Sequence, residues 1–247
     1  TQKLGKPTEV YKSGNNEIWL YDNGNGDFTE ICLYNDKVEI INTVSELWEY
    51  RSILSAGSSV DNIEQVRSAG GYNFMSSEKI KRYTNEEFTG YVYNSYVDVN
   101  YGSKGNLTIY VDNNLKTAIG FTIEKSSRYL NFSYEGFTDK ELGKLVFYYT
   151  NAYRSRLNIE PLIWSEDVYQ AAHNHTKDMF ERDFFAHDSP TEGFWERATR
   201  ELGRGYKSEV IYHSQGFFNP IRALVGWMKS SPGHREATLS DMYKYAG

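Results

Sequence analysis

All five histidines of the 247-residue chain lie in its last third, between positions 173 and 234. Imidazole changes its charge near neutral pH and is the commonest metal ligand in proteins. Two of these histidines stand in segments rich in polar partners: His187 is followed by Asp188 and Ser189, and His234 precedes an arginine. Glu209 lies between them in the chain. This distribution indicates that the chemistry, or a polar binding pocket, belongs to this part of the chain.

Two chemistries fit His187, Glu209 and His234. Two imidazoles and a carboxylate form a catalytic zinc ligand set that leaves a fourth position for water. Such a water has a lowered pKa and hydrolyses amides or esters. Because the three residues are far apart in sequence, unlike the paired ligands of a zincin helix, only the fold can bring them together. A carboxylate can equally hold one imidazole by a hydrogen bond without any metal, so both alternatives stay open.

Nucleophilic catalysis by a serine or cysteine is disfavoured. Ser189, Ser230 and Ser231 lie close to the histidines in sequence, but no Gly-x-Ser-x-Gly elbow surrounds them. Ser189 and Ser231 each precede a proline, which is ordinary turn chemistry. Cys32 is more than a hundred residues away from the histidines.

Composition narrows the class of partner. The net charge of -6 and the absence of a Lys/Arg block argue against a nucleic-acid surface. No apolar run approaches the length of a membrane span. The chain begins at Thr1 without a charged-then-apolar leader, which fits either a removed signal segment or a fragment. Its single cysteine excludes an internal disulfide.

The front of the chain, residues 1–135, predicts a strand-rich α+β domain. Each of two stretches has the order strand, Gly/Asn turn, strand, Asn/Asp turn, strand. The predicted strands are residues 18–21, 28–34 and 38–43 in the first stretch, and 97–101, 107–111 and 118–123 in the second. We interpret them as two degenerate repeats that share a sheet, with a helix near residues 60–69 between them. An unrepeated meander with similar turns is the alternative.

The back of the chain, residues 136–247, predicts a helical domain. Thr138 and Glu141 form a capping-box pattern before an apolar stripe, and Ser165 caps a second helix. His175 falls on the apolar face of that helix and is predicted to be a core histidine. Residues 194–202 predict a third helix, and residues 219–220 start a fourth that ends at 231–233 and leads to His234. An exposed linker is expected at residues 131–138.

Several short motifs occur together in an order that identifies a family. They are residues 151–154 (Asn-Ala-Tyr-Arg), 162–164 (Leu-Ile-Trp), 171–175 (Ala-Ala-His-Asn-His), Met179, 185–190 (Phe-Ala-His-Asp-Ser-Pro), 227–228 (Trp-Met) and 233–235 (Gly-His-Arg). Together they resemble the CAP superfamily of cysteine-rich secretory, antigen 5 and pathogenesis-related proteins. The likeness is to its bacterial, disulfide-free secreted branch, which shares the Ser-Pro-Gly-His-Arg segment at 231–235. The front part resembles the N-terminal CAP-associated domain of that branch.

The resemblance implies an α/β/α sandwich in the second domain, and an α+β chain as a whole. It also implies a shallow cavity with two His and two Glu, sometimes around a divalent metal such as zinc. His187 and His234 match the two histidines, and Glu209 matches one glutamate, although its neighbours here are Ser and Val instead of Gly and Asn. Ser230 stands where the second glutamate is expected. Family members continue beyond the segment that ends here at Gly247, so a truncated sandwich is expected.

The function that follows is a secreted or cell-wall-associated binding module. Its ligand would be an envelope component, peptide, glycan or lipid held at His187, Glu209, Ser230 and His234. The alternative is a peptidase-like hydrolase that uses a divalent metal on His187 and His234, with Glu209 as a further catalytic candidate. Neither interpretation includes a nucleic-acid partner.

Overall fold

The computed structural model describes residues 4–49, 54–59, 61–62, 84–85, 88–89, 92–99, 103–112, 114–125, 128–214, 218–230 and 232–247. The chain divides into two compact units, Thr1–Phe137 and Thr138–Gly247. The boundary predicted after residue 135 lies close to this division, and independent folding of the two units stays a prediction. Among the helices of the described ranges, none is both long enough and apolar enough to cross a membrane.

An antiparallel sheet organises the first unit. Its seven strands are β1 (Glu9–Ser13), β2 (Asn16–Asp22), β3 (Phe28–Tyr34), β4 (Lys37–Thr43), β7 (Val92–Val99), β8 (Ser103–Asp112) and β9 (Thr117–Lys125), and their order is β1-β2-β3-β4-β9-β8-β7. A separate hairpin joins β5 (Thr84–Asn85) to β6 (Phe88–Thr89).

The sheet joins two three-stranded meanders at its centre. Strands β2-β3-β4 form one meander and β7-β8-β9 the other, and β4 pairs with β9 so that Ile41 lies opposite Ile123. Each predicted strand overlaps an observed one, and the shared sheet is the arrangement that two repeats predict. The duplication itself stays a hypothesis. The helix predicted at residues 60–69 lies outside the described residues except for Asp61 and Asn62, which are helical.

Strand β3 is buried on both faces, because side chains alternate between the two faces along a strand and every residue of β3 except Tyr34 is buried. On one face Ile31 and Leu33 pack with Tyr21, and Leu4, Trp19 and Trp48 cover this cluster. On the other face lie Glu30 and Cys32. Burial, and secondarily the charge of Glu30, raises the pKa of the Cys32 thiol well above its ordinary value. Cys32 is therefore a core side chain and not a nucleophile.

The segment before the second unit is not an exposed linker, so that expectation is wrong. Phe132, Tyr134 and Phe137 are all buried, and the Phe132 and Tyr134 rings meet edge to face with centroids 5.0 Å apart. The Tyr134 hydroxyl donates a 2.6 Å hydrogen bond to Oε1 of Glu30. Three aromatic side chains in six residues supply enough apolar area to hold this segment on the sheet.

The second unit contains five helices within the described residues. They are α1 (Asp139–Arg156), α2 (Glu166–Glu181), α3 (Phe194–Leu202), α4 (Ile221–Lys229) and α5 (Pro232–Leu239). Strands β10 (Ile163–Trp164) and β11 (Tyr245–Ala246) pair in parallel. The capping box at Thr138 and Glu141 is confirmed, and the Ser165 hydroxyl accepts from the backbone of Val168 as predicted.

The end of this unit differs from the expectation in one respect. Helix α4 ends at Lys229, but a further helix begins at Pro232 and carries His234 in its first turn. Proline is favourable at a first helical position because its missing N–H has no helical partner there. The sequence Ser-Pro-Gly therefore marks a junction between two helices.

Candidate functional site

His187 is held by Glu209. Nδ1 of the imidazole lies 2.9 Å from Oε1 of the carboxylate. His187 follows helix α2 in the loop that leads to α3, and Glu209 lies in the irregular stretch after α3. The side chain of His187 is 44% exposed, whereas that of Glu209 is 14% exposed. A largely buried carboxylate thus orients an imidazole that solvent can reach.

His234 is held in the same way by Ser230. The Ser230 hydroxyl lies 2.8 Å from Nδ1 of His234, and it also donates to the main-chain carbonyl of Trp227 at 3.2 Å. A hydroxyl has a single proton to donate. If that proton goes to Trp227, Ser230 accepts from the imidazole and His234 carries its proton on Nδ1.

The two histidines form a pair. Their ring centroids are 6.0 Å apart and their planes are inclined by 35°. We call His187 and His234 the imidazole pair. Their Nδ1 atoms face Glu209 and Ser230, and within the described ranges no hydrogen bond reaches Nε2 of either ring. The structure therefore brings together the four residues proposed from the sequence, and it leaves two Nε2 atoms for a ligand.

Arg197 is a residue of the site that sequence reasoning missed. Its Nη2 lies 3.1 Å and 3.0 Å from the two carboxylate oxygens of Glu209, and 3.0 Å from the main-chain oxygen of His187. Its side chain is only 8% exposed. Its neighbour Ala198 is buried as well, but no local signal in the sequence marks this arginine as buried.

His175 also belongs to this neighbourhood. Its ring is buried as predicted, and Nε2 makes a 2.9 Å hydrogen bond with the carbonyl of Ala186. A carbonyl only accepts, so Nε2 is protonated in this bond. The same Nε2 lies 3.7 Å from Oε1 of Glu209. Nδ1 of His175 has no hydrogen-bond partner among the described residues. Glu209 therefore lies between two imidazoles.

A cavity of about 590 Å³ adjoins this network. Arg197 and Glu209 contribute to its wall, whereas neither member of the imidazole pair does. Most of the remaining wall is apolar and includes Phe147, Leu162 and Trp227. The carboxylate and the guanidinium thus separate an apolar space from the imidazole pair.

The donor set differs from the expected three-ligand zinc site. Both oxygens of Glu209 accept from Arg197, and Oε1 also binds His187, so the carboxylate is engaged as an orienting partner. Across the described part of the chain, no group of three or more His, Cys, Asp or Glu side chains is arranged to hold a metal ion. The imidazole pair offers two nitrogen ligands, one fewer than hydrolytic zinc sites take from the protein.

The pair makes stability depend on pH. Burial, and next the proximity of His187, lowers the pKa of His234 from its ordinary 6.5. The unfolded chain therefore binds a proton at His234 more readily than the folded chain does. The contribution to stability is complete above pH 6.5, and it is lost as the pH falls from 6.5 towards the lower pKa of the folded state.

We expect denaturant titrations at about pH 8 and about pH 5 to show a smaller pH-dependent loss of stability in His234→Gln than in the wild type. His173→Gln is the control, and an undiminished loss in His234→Gln would contradict the assignment.

Comparison with known proteins shows what the second unit is similar to. Residues 147–247 match the family model described as CAP, cysteine-rich secretory protein family. The uncharacterized protein YkwD of Bacillus subtilis is 30% identical over 104 residues, which are 42% of this chain and 40% of YkwD. The chain therefore spans well under half the length of that relative. The uncharacterized membrane protein YlbC of the same organism is 21% identical over an alignment of 277 residues that covers 100% of this chain and 76% of YlbC.

Two crystal structures share the fold. An extracellular protein containing an SCP domain from Bacillus anthracis gives a TM-score of 0.73 at 19% identity, over 97% of this chain and 84% of that one. A cysteine-rich secretory protein from Staphylococcus aureus gives a TM-score of 0.63 at 13% identity, over 100% of this chain and 86% of that one. The α+β class, an antiparallel sheet domain followed by a helical region with a small sheet, is confirmed.

Proposed function

We propose that this chain is an extracellular CAP-domain protein, a binding module whose imidazole pair contacts the ligand; the match of residues 147–247 to the family model supports the assignment. The relative from Bacillus anthracis is described as extracellular and the one from Staphylococcus aureus as secretory. These descriptions support a secreted or cell-wall-associated location for this chain. A ligand of the bacterial envelope, made of glycan and peptide, is the class that such a location offers.

The observation that carries the proposal is the placement of the two Nε2 atoms. His187 and His234 are anchored through Nδ1, and their rings are 6.0 Å apart. A neutral imidazole whose Nδ1 carries the proton has an acceptor at Nε2. Two such acceptors on neighbouring rings suit a ligand with several donors, such as the hydroxyl groups of a glycan or the N–H groups of a peptide.

Exposed aromatic side chains near His187 in the sequence support the same class of ligand. Phe185 is 54% exposed and its ring lies 5.7 Å from that of His213. Trp195 is 60% exposed and lies against Phe194 at the start of helix α3. Aromatic rings present a large contact area with few rotatable bonds, so they bind sugar and peptide faces at a low entropic cost.

A binding assay with soluble peptidoglycan fragments tests the proposal. We expect His187→Ala and His234→Ala each to weaken binding about tenfold, as the loss of a hydrogen bond of about 1.4 kcal/mol requires. The control is His173→Ala, because His173 stacks on Tyr169 and lies away from the pair in the chain. Equal binding by all four proteins would overturn the proposal. Isothermal calorimetry measures the affinity, and circular dichroism verifies that each variant is folded.

A divalent-metal hydrolase is the second candidate, and the imidazole pair is the observation that favours it. The residues do not fit a hydrolytic zinc site with three protein ligands, because Arg197 and His187 occupy the oxygens of Glu209. The same assay with added zinc separates the two candidates. Cleavage of the fragments that requires zinc and both histidines would support the hydrolase, whereas binding without cleavage supports the binding module.

A further inference from the structure

We propose that Arg197 is the positioning residue of the imidazole pair. It fixes the Glu209 carboxylate on His187, so that His187 keeps its proton on Nδ1 and presents Nε2 as an acceptor. The proposal rests on the proposed function only in the identity of the ligand that Nε2 binds. The position of the proton on His187 is a property of the protein without a ligand.

The guanidinium contacts both the carboxylate that binds His187 and the backbone of His187. Nη2 of Arg197 reaches both oxygens of Glu209 and also the main-chain oxygen of His187, all within 3.1 Å. The first contact fixes the group that binds the imidazole, and the second fixes the backbone that carries it. An arginine in this position therefore sets both the orientation of the ring and the position of its partner.

A clamp is needed because Glu209 has a choice of imidazoles. Oε1 lies 2.9 Å from Nδ1 of His187 and 3.7 Å from Nε2 of His175. If the carboxylate rotated towards His175, Oε1 would compete with the Ala186 carbonyl for the proton on Nε2. His187 would then lose the acceptor that holds its proton on Nδ1. Arg197 prevents this rotation because it binds both carboxylate oxygens at once.

Burial and charge make the clamp effective. The side chain of Arg197 is 8% exposed and that of Glu209 is 14% exposed, so water competes weakly for their hydrogen bonds. The two charges compensate each other, so an imidazole beside Glu209 is not required to be positive. All three contacts come from Nη2 alone, so a lysine ammonium could approach the same oxygens, but on a more flexible side chain.

Nitrogen NMR of the histidine rings tests the proposal. At about pH 8, where histidines are neutral, the ring nitrogens report which one carries the proton. We expect the Nδ1–H to Nε2–H ratio of His187 to fall about tenfold in Arg197→Gln, which equals about 1.4 kcal/mol. In Arg197→Lys we expect a fall of about threefold, because a flexible ammonium holds the carboxylate less firmly than a planar guanidinium does. The ratio for His234 should stay unchanged in both, since Ser230 holds that ring.

The matched control is Arg200→Gln on the same helix. Arg200 is exposed and bonds to Glu192, so its removal should leave the His187 ratio unchanged. Glu209→Ala should lower the ratio as Arg197→Gln does, and the double variant should show no further fall. A merely structural role for Arg197 would lower the melting temperature and leave the ratio at its wild-type value.

Two outcomes would overturn the proposal. They are a wild-type His187 ratio in a folded Arg197→Gln protein, and a wild-type ratio in Arg197→Lys, which decides the question if the glutamine variant does not fold. Neither measurement uses a ligand, so a failure to bind peptidoglycan fragments would reject the proposed function without affecting this result.

Discussion

Replacing Arg154 with methionine is expected to lower the unfolding free energy of the second unit by about 3 kcal/mol or more. Arg154 is fully buried near the end of helix α1, and it donates only to main-chain carbonyls. Nε and Nη2 bind the carbonyl of Glu160 at 3.0 Å and 2.9 Å, and Nη1 binds those of Thr238 at 2.8 Å and Ser240 at 2.9 Å. Methionine fills similar space but leaves the carbonyls of Glu160, Thr238 and Ser240 without these donors.

The effect should reach the site as well as the core. Thr238 and Ser240 lie at the carboxyl end of helix α5, where free carbonyls and the helix dipole favour a cation. His234 lies in the first turn of the same helix. Arg154 therefore ties the helix that carries His234 to helix α1, so its loss should also disturb the imidazole pair.

Urea denaturation followed by far-ultraviolet circular dichroism measures this loss, because the long helices of the described residues all lie in the second unit. Arg182→Met is the control. Arg182 pairs with Asp178 one turn away at the surface, and such exposed pairs contribute well under about 1 kcal/mol. If Arg154→Met were no more destabilising than Arg182→Met, the carbonyl contacts would not support the fold.

Features set by neighbouring residues were predictable from the sequence. The capping box at Thr138 depends on a residue three positions away, and the strand pattern depends on alternation and short turns. Convergence of His187, Glu209 and His234 was accessible through the motifs shared with a known family. In each case the information is either local or already contained in a recognised pattern.

Buried polar residues were harder to predict. Arginine is mostly exposed in proteins, so nothing local marks Arg154 or Arg197 as buried. Their burial depends on acceptors supplied from elsewhere in the chain: carbonyls after helix α5 for Arg154, and Glu209 for Arg197. The same holds for residues 131–138, which were expected to be an exposed linker. The sequence alone does not show that the aromatic residues of this segment are buried, because it does not show the sheet that they cover.

The role of Glu209 in the site could not be predicted from the sequence for the same reason. Residue types alone allowed both a metal ligand and an orienting partner. Arg197 decides between them because it occupies both carboxylate oxygens. Without knowledge of that contact, the sequence predicts the members of the site but not which of them touches a ligand. We propose that the imidazole pair is the part of the network that a ligand contacts.

Replacing Glu30 with leucine is expected to destabilise the first unit by about 3 kcal/mol. Oε1 of Glu30 accepts from the Tyr134 hydroxyl at 2.6 Å and from the Cys32 thiol at 3.1 Å, and Oε2 accepts from Nδ2 of Asn42 at 3.2 Å. All four side chains are buried. Leucine removes the acceptor and leaves the donors without it, which costs more than an exposed hydrogen bond because water cannot replace it.

Tyr134→Phe distinguishes the contribution of this hydrogen-bond network to stability from the contribution of ring packing. It removes one donor and keeps the ring, so we expect a loss of about 1 kcal/mol, and the double variant with Glu30→Leu should lose less than the sum of the two. Tyr129→Phe, in the same segment but half-exposed, is the control and should be nearly neutral. Additive losses in the double variant would show that Glu30 and Tyr134 are not coupled.

The labelling rate of Cys32 measures the stability of the first unit. Cys32 is the single cysteine of the chain, and in the folded unit its thiol is fully buried with a raised pKa. A thiol reagent therefore reacts with Cys32 chiefly when the first unit opens, so its labelling rate reports the stability of that unit alone. A loss of about 3 kcal/mol corresponds to labelling more than about a hundredfold faster in Glu30→Leu than in the wild type. An unchanged rate would mean that the segment at residues 128–137 and the sheet remain joined without the carboxylate.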